Sequence, residues 1–252
     1  MGVKRYELSD VQWVRIAPLL SGKASDPGRT GADNRLFVNG VLWVLRSGAH
    51  WRDLPERYGK YKSLHKRFSR WAKAGVWEKV FASLIKDRDN KYLMLDTTLV
   101  RAHQPGSDRK GGDQNQALGR SRGGLTTKIH MLADTLGRPL RFILTPAQAG
   151  DVTTSCALLE GFKAEAVLAD KAYDANGLRA LISQMGAEAV IPCNPTRKQP
   201  IPYDKMAYRL RNRIERCFNK LKHFRRFANR YDRLASHFLA FIQLAAAMIW
   251  MR

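Results

Sequence analysis

The 252-residue sequence predicts a mixed α/β protein, a helical first part followed by a mixed sheet with flanking helices. Three observations carry this expectation. Apolar residues recur at helical spacing through roughly the first 88 positions. From Tyr92 the pattern changes to short apolar or alternating runs. Beyond Thr145, helix-like and strand-like segments alternate, as they do where helices cover a sheet.

In order, Ser9 and Gln12 form a capping-box pair at the start of a first helix, and Val11, Val14, Ile16, Leu19 and Leu20 are its expected apolar face. A polar break from Gly22 to Asp33 precedes a helix over Asn34–Arg46 that stops at Gly48. Trp51 to Pro55 reads as a turn. Lys62–Ala74 and Val76–Ile85 read as helices meeting at Gly75, the first with Lys66, Arg67 and Arg70 on a basic face. That pair suggests a helix-turn-helix DNA-binding module, with a plain bundle as the alternative. The charged KDRDN segment at 86–90 is the expected linker, dividing a helical domain at 1–88 from a catalytic domain at 89–252. A strand over Tyr92–Val100, a long loop from Gln104 to Gly124, and a hairpin of Leu125–Ala133 with Arg138–Thr145 follow. Then come a helix over Thr153–Gly161, a strand over Ala166–Asp170, a helix over Ala175–Met185 and a strand over Ala187–Pro192. A long helix from Asp204 to about Phe227 and an apolar helix within Leu234–Met251 complete the reading.

Lys and Arg number 44 against 22 Asp and Glu, a formal net charge of +22. A chain this basic repels itself unless a polyanion is its partner, which points to nucleic acid. Cys156, Cys193 and Cys217 are scattered without a CxxC pair, so they read as reduced thiols rather than zinc ligands. The start of the sequence has no apolar run of a signal peptide, and the apolar C-terminal stretch is short for a bilayer, so a cytoplasmic protein is expected.

Asp96 interrupts an apolar strand, where an ionised carboxylate is costly unless paired, hydrogen-bonded or bound to a cation. Asp170 ends a second strand, and Glu215 lies on the long basic helix. Carboxylates from separate rigid elements can hold hard cations, and a pair of such ions suits in-line phosphoryl displacement. Singly, each acid has a simpler explanation: a satisfied buried polar group, a helix cap, or an intrahelical partner for Arg211 or Arg216.

The long helix adds a second pattern. Tyr208, Arg211, Glu215 and Lys222 are spaced so that, at about 100° per residue, all four fall on one narrow stripe. From Arg197 to Arg233 there are 13 Lys/Arg against 3 Asp/Glu, an electrostatic footprint suited to a phosphate backbone.

Together these segments resemble the DDE transposases of bacterial insertion sequences, above all insertion sequence family five and its relatives that share a Tyr–Arg–Glu–Lys signature. LDTTLVRAHQ matches around the first acid, LADKAYDAN around the second and YRLRNRIERCFNKLKHFRR around the third. The resemblance implies an RNase H-like catalytic domain with Asp96, Asp170 and Glu215 as catalytic ligands of two Mg²⁺ ions, Mn²⁺ being able to substitute. It implies that Tyr208, Arg211 and Lys222 grip DNA phosphates, that hydrolysis at a transposon end frees a 3′-hydroxyl for attack on target DNA, and that a homodimer acts on paired terminal repeats. Two other readings stay open: another RNase H-like nuclease, and a DNA-binding protein without catalysis. Among secondary candidates, His103 and His130 are expected to be structural, and Asp174 to cap a helix. Arg101, Lys128, Arg109, Lys110, Arg120 and Arg122 are possible DNA contacts.

Overall fold

The computed structural model describes residues 6–23, 25–26, 31, 33–103, 116–121 and 124–252. They form two compact units, one of residues 1–86 with 221–252 and one of residues 87–220. The first unit therefore draws on both ends of the sequence. The sequence division at 88/89 differs from this one chiefly in residues 221–252, which pack with the early helices.

In the first unit, α1 (Asp10–Ile16) begins with the expected capping box, the Ser9 hydroxyl and the Gln12 side chain each accepting the other residue's backbone N–H. Its apolar face is not the expected one. Ile16 and Leu20 are buried, but Val11 and Val14 are 73% and 69% exposed. α2 (Asn34–Ser47) ends at Gly48, whose φ of 70° only glycine adopts without strain. α3 (Tyr61–Lys73) and α4 (Val76–Leu84) meet at Gly75, again left-handed at φ 68°.

The core of this unit is aromatic. Phe68 stacks on Phe241 at 4.4 Å between ring centroids, and Trp71 packs against Phe37 at 4.9 Å and Trp77 at 5.4 Å. Phe241 belongs to the last helix, α10 (Ala235–Trp250), which supplies the apolar surface that α3 and α4 cover. Its final carbonyls are satisfied by α1, since Gln12 donates to Met251 and Arg15 to Trp250. No helix among the described residues is long and apolar enough to cross a membrane.

The second unit is built on a mixed sheet. β1 (Tyr92–Ala102) is central, β2 (Gly119–Ser121) and β4 (Pro139–Pro146) flank β3 (Gly124–Ala133), and β3 pairs antiparallel with β1. On the other side, β5 (Ala166–Leu168) and β6 (Glu188–Val190) run parallel to β1. The order β4-β3-β1-β5-β6 is the expected RNase H-like sheet. α5 (Ser155–Leu159) and α6 (Asn176–Gln184) are the crossover helices. Arg141 donates to three carbonyls at the end of α5. By strand alternation Arg141 leaves the face opposite Asp96, which places α5 on that face.

The expected long helix is broken into α7 (Lys205–Tyr208), a 3₁₀ turn over Arg209–Arg211 and α8 (Asn212–Lys222), with α9 (Arg225–Ala228) separate. Asp204 caps α7 by accepting from the Met206 and Ala207 N–H groups. The start of α8 is fixed to the sheet through the β3–β4 turn. There Arg213 donates to the Thr135 carbonyl at 2.6 Å, and Gly137 sits so close that an added Cβ would lie 2.7 Å from the Arg213 backbone.

Candidate active site

Sheet register brings the first two acids together. Tyr92, Leu93 and Met94 pair with Ala166, Val167 and Leu168, and two residues further along each strand stand Asp96 and Asp170. Neighbouring strands are about 4.8 Å apart and residues at one level share a face. Asp170 keeps an extended backbone beyond the end of β5, so the level is preserved. Both acids lie where β5 ends, the carboxyl edge at which open sheets bind ligands.

Arg211 connects Asp96 to the third acid. Its Nη1 is 3.6 Å from Asp96 Oδ2, its Nη2 is 2.9 Å from Glu215 Oε1, and its Nε donates to Tyr208 Oη at 3.4 Å. The 3₁₀ turn helps, because its three-residue repeat sets Arg211 directly over Tyr208. Tyr208 is steadied in turn by Tyr203, edge-on at 5.6 Å. The simpler contacts are made as well: Asp96 accepts from the Thr97 N–H, Asp170 caps a 3₁₀ turn through Ala172, and Glu215 pairs along its helix with Arg211.

Asp96 is 15% exposed, and its carboxyl is pushed up to about 6. Burial is the largest cause, and the Asp170 and Glu215 carboxylates add to it against the opposing pull of the Thr97 N–H and Arg211. The donors here are hard carboxylate oxygens of the kind Mg²⁺ accepts. Among the described residues no three His, Cys, Asp or Glu side chains stand close enough together to hold a metal ion. The donor set fits a hard cation in chemistry, and the guanidinium keeps two of its members apart.

Tyr173 is a member that sequence reasoning passed over. It is 1% exposed, its hydroxyl has no hydrogen-bond partner among the described residues, and its ionisation is pushed up first by burial, then by Asp151, Asp96 and Asp170. The DKAYD run that contains Asp170 was its only sequence signal.

The other candidates fall elsewhere. Lys222, the last residue of α8, is exposed and belongs to the first unit. In that unit Lys66 and Arg70 are exposed, whereas Arg67 stacks over Phe37 at 4.4 Å and Trp71 at 4.8 Å and bonds to Asn34. A cleft of about 760 Å³ lies beside them, lined in part by Lys60, Arg67 and Arg70. His130 is buried on the sheet face opposite Asp96, with Nε2 2.7 Å from Thr145 Oγ1 and, among the described residues, no hydrogen-bond partner for Nδ1. Lys128 is engaged by Asp151 at 2.6 Å and the Ala149 carbonyl. Arg101, His103 and Arg120 are exposed, while Arg109, Lys110 and Arg122 lie outside the described residues.

Asp174 is not a cap. The N-cap of α6 is Ala175, and the Asp174 carboxylate, on a side chain with no exposure, takes Arg179, Arg197 and the Asn194 N–H. Burial pushes its carboxyl up, but the Arg197, Asn194 and Arg179 hydrogen bonds outweigh it and hold it well below the usual range. Asp174→Ala is expected to cost about 3–5 kcal/mol in urea denaturation at pH 7, because two guanidinium groups are left without their counter-ion. A depressed folded pKa means the carboxylate's contribution is whole above roughly pH 4 and fades as pH falls further, so the gap between variant and wild type should narrow in acid. A pH-independent gap would mean the loss is one of packing alone.

Residues 8–81 match a family described as "Putative transposase of IS4/5 family", and residues 88–250 match "Transposase DDE domain". The sequence is 45% identical over 130 residues to "Putative transposase for insertion sequence element IS6501" of Brucella ovis, spanning 51% of this chain and 100% of that one. It is 42% identical over 113 residues to "Uncharacterized protein y4sN" of Sinorhizobium fredii, spanning 44% of this chain and 90% of that one. A "Mos1 transposase paired-end complex with left transposon end" aligns over 87% of each chain at 11% identity, with a TM-score of 0.25 that bears no weight.

Proposed function

We propose, from the premise that this chain belongs to the DDE transposases of the IS4/5 family, that it binds transposon-end duplex DNA, cuts the end and joins the freed 3′-hydroxyl to target DNA. The observation that supports this best is the shared register of Asp96 and Asp170, with Glu215 tied to the first of them through Arg211. In this reading Asp96, Asp170 and Glu215 are the metal ligands. A pair of Mg²⁺ ions bound there, or Mn²⁺ in their place, would activate the attacking oxygen and neutralise the charge on the leaving one.

The protein's own residues do the rest. Asp96 on β1 and Asp170 just past the end of the neighbouring β5 are set by one strand register, which fixes their mutual geometry. Tyr208 and Arg211 present a hydroxyl and a planar fork to one phosphate, and Lys222 adds a point charge. In the first unit, Lys66 and Arg70, exposed on α3, are further duplex-DNA contacts in this reading, with Arg67 stiffening that helix from within. A homodimer would hold the two ends together, in the cytoplasm. The test is a strand-transfer assay with a pre-cut 3′-hydroxyl donor. Wild type is expected to join it to a target plasmid, and Glu215→Gln to lose both cutting and joining while duplex affinity stays within about twofold. Cutting without joining would favour a nuclease, and an equal loss of binding would remove Glu215 from the catalytic set.

A further inference from the structure

We infer that Arg211 is a built-in stand-in for the metal: in the DNA-free protein its guanidinium neutralises Asp96 and Glu215, and it must be surrendered to a DNA phosphate before a divalent cation can take those carboxylates. The inference rests on the reading of the three acids as metal ligands and adds what controls their filling.

The geometry supports a mutually exclusive pair of states. The Arg211 side chain is only 14% exposed, between a carboxylate 2.9 Å away on its own helix and another 3.6 Å away on β1. Mg²⁺ draws its oxygens to about 2.1 Å from a single point. Oxygens on either side of a guanidinium stand farther apart than that, in keeping with the lack of any three-acid cluster among the described residues. The Arg211 clamp is also incomplete. Its buried Nη1 makes no hydrogen bond among the described residues, since 3.6 Å to Asp96 is too long for one, and its bond to Tyr208 is long as well. A buried donor left short of an acceptor is costly, and a phosphate offering two oxygens to the same planar fork would satisfy it.

Such an arrangement couples the two ligands. A phosphate that draws Arg211 outward raises cation affinity, and by linkage the cation raises phosphate affinity by the same factor. The acids are then made ready for metal only on DNA, which restrains idle hydrolysis by the free protein.

The test is Mn²⁺ binding to the full-length, DNA-free protein, followed by the electron paramagnetic resonance of the free ion. Arg211→Gln is expected to bind Mn²⁺ about tenfold or more tightly than wild type. Tyr208→Phe, which removes one hydroxyl and so leaves folding undisturbed, should shift affinity the same way by about twofold. Adding a short duplex should tighten Mn²⁺ binding by wild type and much less by Arg211→Gln. If both variants bind Mn²⁺ as wild type does, or if duplex tightens binding equally in wild type and Arg211→Gln, the inference is overturned. Asp96→Asn separates this failure from that of the underlying reading. If it weakens Mn²⁺ binding while the Arg211 and Tyr208 variants change nothing, the ligand set stands and only the stand-in role falls. If the Asp96→Asn/Arg211→Gln double variant binds as tightly as Arg211→Gln alone, the ion sits elsewhere and both fall.

Discussion

Asp96→Asn is expected to lower Mg²⁺-dependent cleavage of a transposon-end duplex at least ~10³-fold, because metal ligation supplies several kcal/mol of transition-state stabilisation. The same change should leave the fold as stable as before, or more so. Asp96 lies on a strand whose preceding residues Leu93, Met94 and Leu95 are wholly buried, and its carboxyl is pushed up to about 6, the mark of a charge held against its solvation. Asparagine keeps the shape and can still accept the Thr97 N–H. What it gives up is a charge, and a 3.6 Å approach to Arg211 that is too long for a hydrogen bond. Functional groups are commonly held at a cost to stability, and their removal then raises the melting temperature. Cleavage assays beside thermal denaturation decide the matter. A dead variant that melts at or above wild type supports a catalytic role. One that melts well below it has lost structure, and the inactivity then says nothing of chemistry.

Affinity for duplex DNA is expected to fall by about 10³–10⁵ between 50 and 200 mM salt if six to ten phosphates are contacted. The source is the stretch from Arg197 to Arg233, with 13 Lys/Arg against 3 Asp/Glu, reinforced by exposed Lys66 and Arg70. Not every base in it is free to contribute. Arg213 is spent on the Thr135 carbonyl, Arg197 on Asp174, and Arg226 on Asp232 and the Ala49 carbonyl. Lys222 is exposed on α8, so Lys222→Ala should weaken binding and reduce the slope of log affinity against log salt by about one. A slope unchanged by the substitution would remove Lys222 from the phosphate contacts, and a nearly flat wild-type slope would recast the whole segment as a solvated surface.

Local signals were legible in the sequence and long-range ones were not. The Ser9–Gln12 capping box, the stops at Gly48 and Gly75 and the turn closed by Gly137 each depend on a few adjacent residues, and each forms as read. Asp96 and Asp170 could be singled out because a carboxylate in or at the end of an apolar run is conspicuous, and Glu215 because it shares a stripe with Tyr208, Arg211 and Lys222 on a basic helix. Their alignment could not, since it depends on β1 pairing with β5 in one register across more than 70 residues of intervening chain. Val11 and Val14 were misplaced because the helical period identifies a stripe without saying whether anything covers it. Asp174 was taken for a cap because its true partners, Arg179, Arg197 and Asn194, include two from beyond the next strand. The 3₁₀ turn at Arg209–Arg211 leaves no mark in an otherwise good helix-forming sequence, yet it sets Arg211 over Tyr208.

The first compact unit combines residues 1–86 with 221–252, and this has a consequence for the order in which the protein is made. While the ribosome is still synthesising the sheet, α3 and α4 have no α10 to cover, and Phe68 waits for Phe241. Until residues 221–252 have been made, the aromatic side chains of α3 and α4 lack this partner surface and call for shielding by chaperones or by transient local packing.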